Sequence, residues 1–111
     1  HAASRIQIGP LTVDQESMRI LREGKPLPIT EKEYLIVELL ATRMNRVCTK
    51  MDFMNHLYGG LDEPEEKIID VFVCKARKKL REHGIVITTV WGRGYMLKSD
   101  DLPGLPAQAA A

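Results

Sequence analysis

At 111 residues and 44% hydrophobic content, the chain holds one domain with one core, and its 28% charged fraction is ordinary for a globular protein. No apolar run approaches the roughly 20 residues that span a bilayer, and the opening HAASRIQIGP lacks the basic-then-apolar order of a signal peptide. Only Cys48 and Cys74 carry thiols, both in helix-like stretches, which fits reduced side chains in the cytoplasm better than a disulfide scaffold.

The first thirty residues alternate apolar and polar side chains in short runs. RIQI, LTVD, MRIL and PLPI are separated by GP, QES and EGK, the pattern of a four-stranded antiparallel sheet. Pro26 and Pro28 flank Leu27, so the fourth strand is expected to be short and at an edge. The period then changes. Thr30 and Glu33 stand at capping-box spacing, and Leu35 with Leu39 and Ile36 with Leu40 repeat at helical spacing, giving a helix over residues 31–43. Thr49 and Asp52 open a second helix that Gly59 and Gly60 close. After the polar stretch GGLDEPE, Asp62 or Glu63 before Pro64 is the expected start of a third helix, which reaches about Glu82 and stops near Gly84. IVITTV and YMLK read as two strands joined through WGRG, with glycines where a hairpin turn needs them. The tail, residues 99–111, is rich in Pro and Ala with few anchors and reads as flexible. The sum is an α+β fold over residues 1–98: a winged helix-turn-helix with an N-terminal four-stranded antiparallel sheet, three helices and a C-terminal β-hairpin wing. In such domains the helix after the turn enters the major groove of DNA.

Net charge is only +1, but it is unevenly spread. Residues 1–63 carry 8 basic and 9 acidic side chains, residues 64–98 carry 8 and 4, and the tail adds two acids. KARKKLR, residues 75–81, has five basic side chains and no acid, which points to a polyanion met by one element. On the third helix Ile69, Phe72, Val73, Ala76 and Leu80 gather on a core face. Opposite them lie Lys67, Asp70, Val71, Cys74, Lys75, Arg77, Lys78 and Arg81. On a merely solvated face Val71 and Cys74 among lysines would be odd but harmless, since isolated exposed apolar residues are normal. On a groove-reading face the cations hold phosphates while a small apolar side chain touches a thymine methyl. Arg93, between Gly92 and Gly94, is placed to enter a neighbouring minor groove, with Trp91 and Tyr95 flanking it and Tyr95 expected to pack inward.

Other chemistry finds little support. Cys48, His56, Cys74 and His83 lack the paired spacing of zinc ligands, and no oxyanion-forming glycine turn adjoins either cysteine. No phosphate-binding glycine loop precedes a helix. The chain therefore reads as a non-enzyme with no cofactor, no metal, no small-molecule substrate and no membrane partner. Two competing readings are a winged helix that docks an acidic protein partner and a thiol switch centred on Cys74.

At RVCTKMDFMNHLYG, EKIIDVFVCKARKKL and TTVWGRGYML the sequence resembles the C-terminal effector domain of OmpR/PhoB-type response regulators, and within them the CtrA-type cell-cycle transcription regulators of alphaproteobacteria. The resemblance runs from about Arg5 to Leu97. It implies a sequence-specific double-stranded DNA-binding output domain that a phosphorylatable receiver precedes in the intact protein. Position by position it implies that Val71 approaches base edges and that Lys67, Lys75 and Arg77 are basic DNA contacts. It places Tyr58 near the DNA backbone, Thr89 on a phosphate and Arg93 in a variable wing turn. With Cys74, Lys78 and Trp91 these make the expected DNA-binding set. Gly59, Gly60, Leu61, Asp62 and Glu63 fall in the loop that contacts RNA polymerase in several members. Cys74 stands where many relatives have a guanine-reading arginine. The CtrA-type pattern shares this cysteine and goes with A/T-rich repeated half-sites, occupied by a dimer or tandem pair. Ala76 stands where a leucine is usual, which implies a slightly thinner core under the helix.

Overall fold

Alternation sets the first layer. In the computed structural model, which describes residues 4–60 and 64–104, β1 (Arg5–Ile8), β2 (Leu11–Asp14), β3 (Arg19–Arg22) and β4 (Lys25–Pro26) form an antiparallel sheet in chain order. The register places Ile6 opposite Val13 and Val13 opposite Ile20, while Ile8 pairs with Leu11. Ile8, Leu11, Val13 and Ile20 are fully buried on the face turned to the helices. β4 is the short edge strand that its prolines require, although it covers only the start of the expected PLPI run.

Helix α1 (Glu31–Thr42) lies under this sheet and is buried on most of its circumference, through Tyr34, Ile36, Val37, Leu39, Leu40 and Ala41. Thr30 and Glu33 form a complete capping box. Helix α2 (Lys50–Tyr58) repeats the device with Thr49 and Asp52 and ends on Gly59 in the left-handed conformation, whose N–H donates to the Asn55 carbonyl. Helix α3 (Ile68–Arg81) presents Ile69, Val73, Ala76 and Leu80 to the core. No helix among the described residues is long and apolar enough to cross a membrane.

Three expectations need correction. The third helix begins at Ile68, not beside Pro64. Its first turn is tightened into i to i−3 hydrogen bonds, Ile68 to Glu65 and Ile69 to Glu66, and no side chain caps it. The acidic side chains expected as caps, Asp62 and Glu63, lie outside the described residues. Cys48 is not helical: its backbone exchanges both hydrogen bonds with Tyr95, at 2.8 and 3.0 Å, in an isolated bridge. The tail's first residues are also anchored. Ser99–Asp101 forms a 3-10 turn whose Ser99 is held by the Asn45 side chain, and Leu102 packs on the core. Pro103 then sits against Gly9 and Gly84, positions where an added Cβ would meet its ring at 3.0 Å.

The wing is shorter than IVITTV and YMLK suggest. β5 (Thr88–Val90) and β6 (Gly94–Met96) pair over three residues only. Beyond them the backbone carbonyls find other partners: Arg77 donates to Ile87, and the Asn45 N–H donates to Leu97. Ile85, Ile87 and Leu97 are nonetheless fully or almost fully buried, so the flanks of the hairpin anchor it in the core.

Among the described glycines Gly94 has the closest backbone neighbour. At φ +153° a Cβ there would lie 2.0 Å from the Cys48 carbonyl oxygen. Gly94→Ala is expected to destabilise the domain by on the order of 3 kcal/mol, since strain and steric overlap act together. Urea unfolding with an unchanged midpoint would show that the wing does not sit this close to the Cys48 strand.

Candidate nucleic-acid interface

The face of α3 away from the core is open. Val71 is 45% exposed, and Cys74, Lys75, Lys78 and Arg81 are exposed beside it. Lys67 pairs with Glu65 at 3.1 Å, but both side chains are largely in solvent, so the pair is weak and easily exchanged. Among the described residues Lys75, Lys78 and Arg81 make no ion pair. This face is a small apolar centre rimmed by unengaged cations.

The basic run itself is divided. Lys79 turns to α1 and pairs with Glu33, the capping-box carboxylate, which is almost completely buried. Burial alone would raise the Glu33 pKa. The Lys79 ammonium and the Thr30 N–H outweigh it and hold the carboxyl below its ordinary value. Arg77 turns to the wing. Its Nε and Nη2 donate to the Ile87 carbonyl at 3.2 and 2.9 Å, and Nη2 donates to Thr89 Oγ1 at 2.8 Å. The guanidinium also lies 5.6 Å from the centre of the Tyr95 ring. Arg77 is thus engaged within the domain, unlike the open phosphate clamp that its place in a basic run suggests.

Beside α3 the wing and the first turn of α2 enclose a cleft. Lys50, Met51, Asp70, Thr89, Trp91 and Arg93 are among its lining residues. Trp91 is 89% exposed and Met51 52% exposed, while Tyr95 packs inward, edge-on to Phe53 at 6.2 Å between ring centres. The wing turn closes through the Arg93 N–H on the Val90 carbonyl, with Gly92 at φ +76°. Of the expected DNA-binding residues, Lys67, Val71, Cys74, Lys75 and Lys78 share the open helix face, and Thr89, Trp91 and Arg93 share the wing. Tyr58 lies at the other end of α2 from this cleft, half-buried under the Lys32 ammonium 4.3 Å above its ring. Gly59 and Gly60 are exposed, whereas Leu61, Asp62 and Glu63 fall outside the described residues. No group of three metal-binding side chains comes together among the described residues.

Sequence reasoning missed Lys50 and Met51. The buried stripe of α2 is Phe53, Met54 and Leu57, so Met51 falls off the helical period, and an apolar residue left over in that way was the available signal. It also left Asp70 among the cations without a partner. In the structure Asp70 accepts a hydrogen bond from the Tyr95 hydroxyl and pairs with Lys50 at 2.9 Å.

These contacts make the hold on the wing depend on pH. Burial and the adjacent Asp70 carboxylate push the Tyr95 phenol up to about 12. Burial would raise Asp70, but the Tyr95 hydroxyl and Lys50 outweigh it and hold the carboxyl below its usual 3.8. A raised tyrosine stabilises the fold fully below its ordinary pKa of 10.0, and that contribution is lost as pH climbs toward about 12. For the depressed aspartate the contribution is present above 3.8 and fades as pH falls through the folded value. Emission from Trp91, the single tryptophan, should therefore report a wing transition above pH 10. Tyr95→Phe should remove that alkaline component, and an identical alkaline profile in the variant would refute the contact.

Residues 24–97 match the family described as transcriptional regulatory protein, C terminal. Over 104 residues the chain is 49% identical to the cell cycle response regulator CtrA of Brucella ovis, an alignment covering 91% of this chain and 45% of that protein. The chain thus spans less than half the length of the curated relatives it matches. Its structure is similar to the C-terminal effector domain of BfmR from Acinetobacter baumannii, with a TM-score of 0.70 and 25% identity over 91% of this chain and 95% of that one. It is similar also to the DNA binding domain of response regulator AdeR, solved in complex with an intercistronic region, with a TM-score of 0.70 and 29% identity over 83% and 96% of the two chains. The four-stranded sheet, three helices and C-terminal hairpin agree with these matches, and the chain belongs to the transcriptional regulatory C-terminal family, the winged-helix DNA-binding domains of OmpR/PhoB-type response regulators.

Proposed function

We propose that this domain binds double-stranded DNA at specific sites, with α3 in the major groove and the wing against the adjoining minor groove. On this reading it is the output half of a two-component regulator that controls transcription, in line with the cell cycle regulators it resembles. The observation that carries the proposal is the make-up of the open face of α3. Val71 and Cys74 occupy its centre, and Lys67, Lys75, Lys78 and Arg81 stand around them. Cations at the edge of a helix meet the phosphates on either side of a groove, and small side chains at its centre meet base edges. A long donor in the Cys74 position would favour guanine. A cysteine there leaves readout to methyl contacts and to Trp91 and Arg93 at the minor groove, which favours A·T pairs. We extend the proposal to A/T-rich repeated half-sites occupied by two copies, and to RNA polymerase as the partner of the loop that begins at Gly59 and Gly60.

Competition between a selected duplex and its scrambled counterpart tests the central claim. Equal competition by both would favour an acidic protein as the partner instead. The cations give a second measurement. Lys75→Ala and Lys78→Ala should weaken binding to all duplexes about equally, and each should reduce the log–log salt slope by roughly 0.9. Unchanged slopes in both variants would take these lysines out of the interface.

The centre of the face gives a third. Val71→Ala should weaken specific binding by on the order of 1 kcal/mol, the scale of a lost apolar contact. That loss should shrink on duplexes in which uracil replaces the contacted thymine. Cys74→Arg should shift preference toward G·C at one position, by roughly 1–3 kcal/mol if the contact is bidentate. Both side chains are exposed, so the fold should survive either change. A Cys74→Arg variant with unaltered base preference would mean that α3 is rotated away from the proposed orientation.

A further inference from the structure

We propose that Arg77 and Asp70 are positioning residues that fix the wing on α3, and that neither side chain touches DNA. The inference rests on the DNA-binding reading for its consequence, but its geometry is independent of it. Asp70 and Arg77 are seven residues apart, two helical turns, and so lie on the same flank of α3. Asp70 holds β6 through the Tyr95 hydroxyl, and Arg77 holds β5 through the Ile87 carbonyl and Thr89 Oγ1. Both touch Tyr95, Asp70 at the hydroxyl and Arg77 at the ring. Lys50 closes the set from α2 by pairing with Asp70 at 2.9 Å.

A wing of three residue pairs needs such ties. An isolated two-stranded hairpin is marginal in water, and among the described residues the backbone ties of this one to the α1–α2 connection are the Cys48–Tyr95 bridge and the Asn45 N–H on the Leu97 carbonyl just past β6. For Arg77 to grip a phosphate with the same nitrogens it would have to abandon the Ile87 carbonyl and leave the acceptor of a buried residue without its donor. In place, Arg77 donates to the Thr89 oxygen, so the Thr89 hydroxyl proton remains available to point outward. A fixed wing angle sets the separation between what α3 reads and what Trp91 and Arg93 reach. Arg77 therefore acts on specificity through the wing.

The test uses the intact domain and two readings. In Arg77→Met, amide order parameters for Gly92 to Gly94 in the free protein should fall from the rigid value near about 0.85 toward about 0.6 or below. The salt slope of DNA binding should stay unchanged, because no phosphate contact is removed. A slope reduced by roughly 0.9, or wing amides as ordered as in the parent, would overturn the proposal. Should Arg77→Met fail to fold, Arg77→Lys keeps the charge and the aliphatic stem but cannot reproduce the forked contact. Its wing amides are expected to loosen as well, and unchanged order would again overturn the idea. Order parameters are read without DNA, so a domain that bound no duplex would sink the functional reading and leave this one standing.

Discussion

Tyr95 ties the wing to the rest of the domain through every part of itself. Its backbone exchanges hydrogen bonds with Cys48, its ring meets Phe53 edge-on and lies beside Arg77, and its hydroxyl reaches Asp70. These four contacts come from three parts of the chain: the α1–α2 connection, α2, and two turns of α3. The wing is therefore positioned by the helices and not by its own short ladder. The same arrangement dictates its neighbour. Only a residue without a side chain can follow the chain past the Cys48 carbonyl, and Gly94 supplies it.

Burial of Glu33 has a comparable reach in the helical layer. A capping carboxylate that is almost fully enclosed needs a cation, and Lys79 provides it from α3. That requirement fixes how α3 is rotated over α1. With Lys79 drawn to α1 and Arg77 drawn to the wing, the remaining basic residues of the run point outward together. Counting charges along the chain gives five cations in residues 75–81, whereas the geometry leaves Lys75, Lys78 and Arg81 on the open face. The open face is thus less strongly charged than the run suggests, and Val71 and Cys74 are correspondingly less crowded.

What was legible in the sequence is what short-range chemistry determines. Thr30 with Glu33 and Thr49 with Asp52 carry their own partners three residues away, and both capping boxes form as spacing implies. Gly59 ends α2 because a left-handed residue is needed there. The sheet, the core face of α3 and the hairpin follow from period alone. The failures share one cause, a partner distant in sequence. Asp70 and Arg77 look like ordinary members of a polar helix face until Tyr95, Ile87 and Thr89 are brought beside them. Cys48 looked helical because its bridge partner is 47 residues away. The first tail residues looked frayed because Asn45, Gly9 and Gly84, which hold them, belong to other elements. Pro64 was misleading in another way, since proline at a helix start is a preference and not a requirement.

The modest charge of the open face bears on how the proposed binding would reach useful affinity. With a net charge of +1, the domain as a whole is attracted only weakly to a polyanion. Three exposed cations on α3, Lys67 just before it and Arg93 on the wing would supply few phosphate contacts, so one copy should bind random duplex poorly at ordinary salt. That weakness aids discrimination, because the base-dependent contacts of Val71, Cys74 and the wing then form a larger share of the total. It also limits affinity for a single half-site. The proposed pairing of two copies on adjacent half-sites would overcome the limit if the copies touch, since the second would then bind at a raised effective concentration. A near-neutral domain with a small open face suits the proposed use of repeated half-sites. On that proposal a low sequence-independent attraction would let specificity accumulate over two weak contacts, where one strong contact would bind indiscriminately.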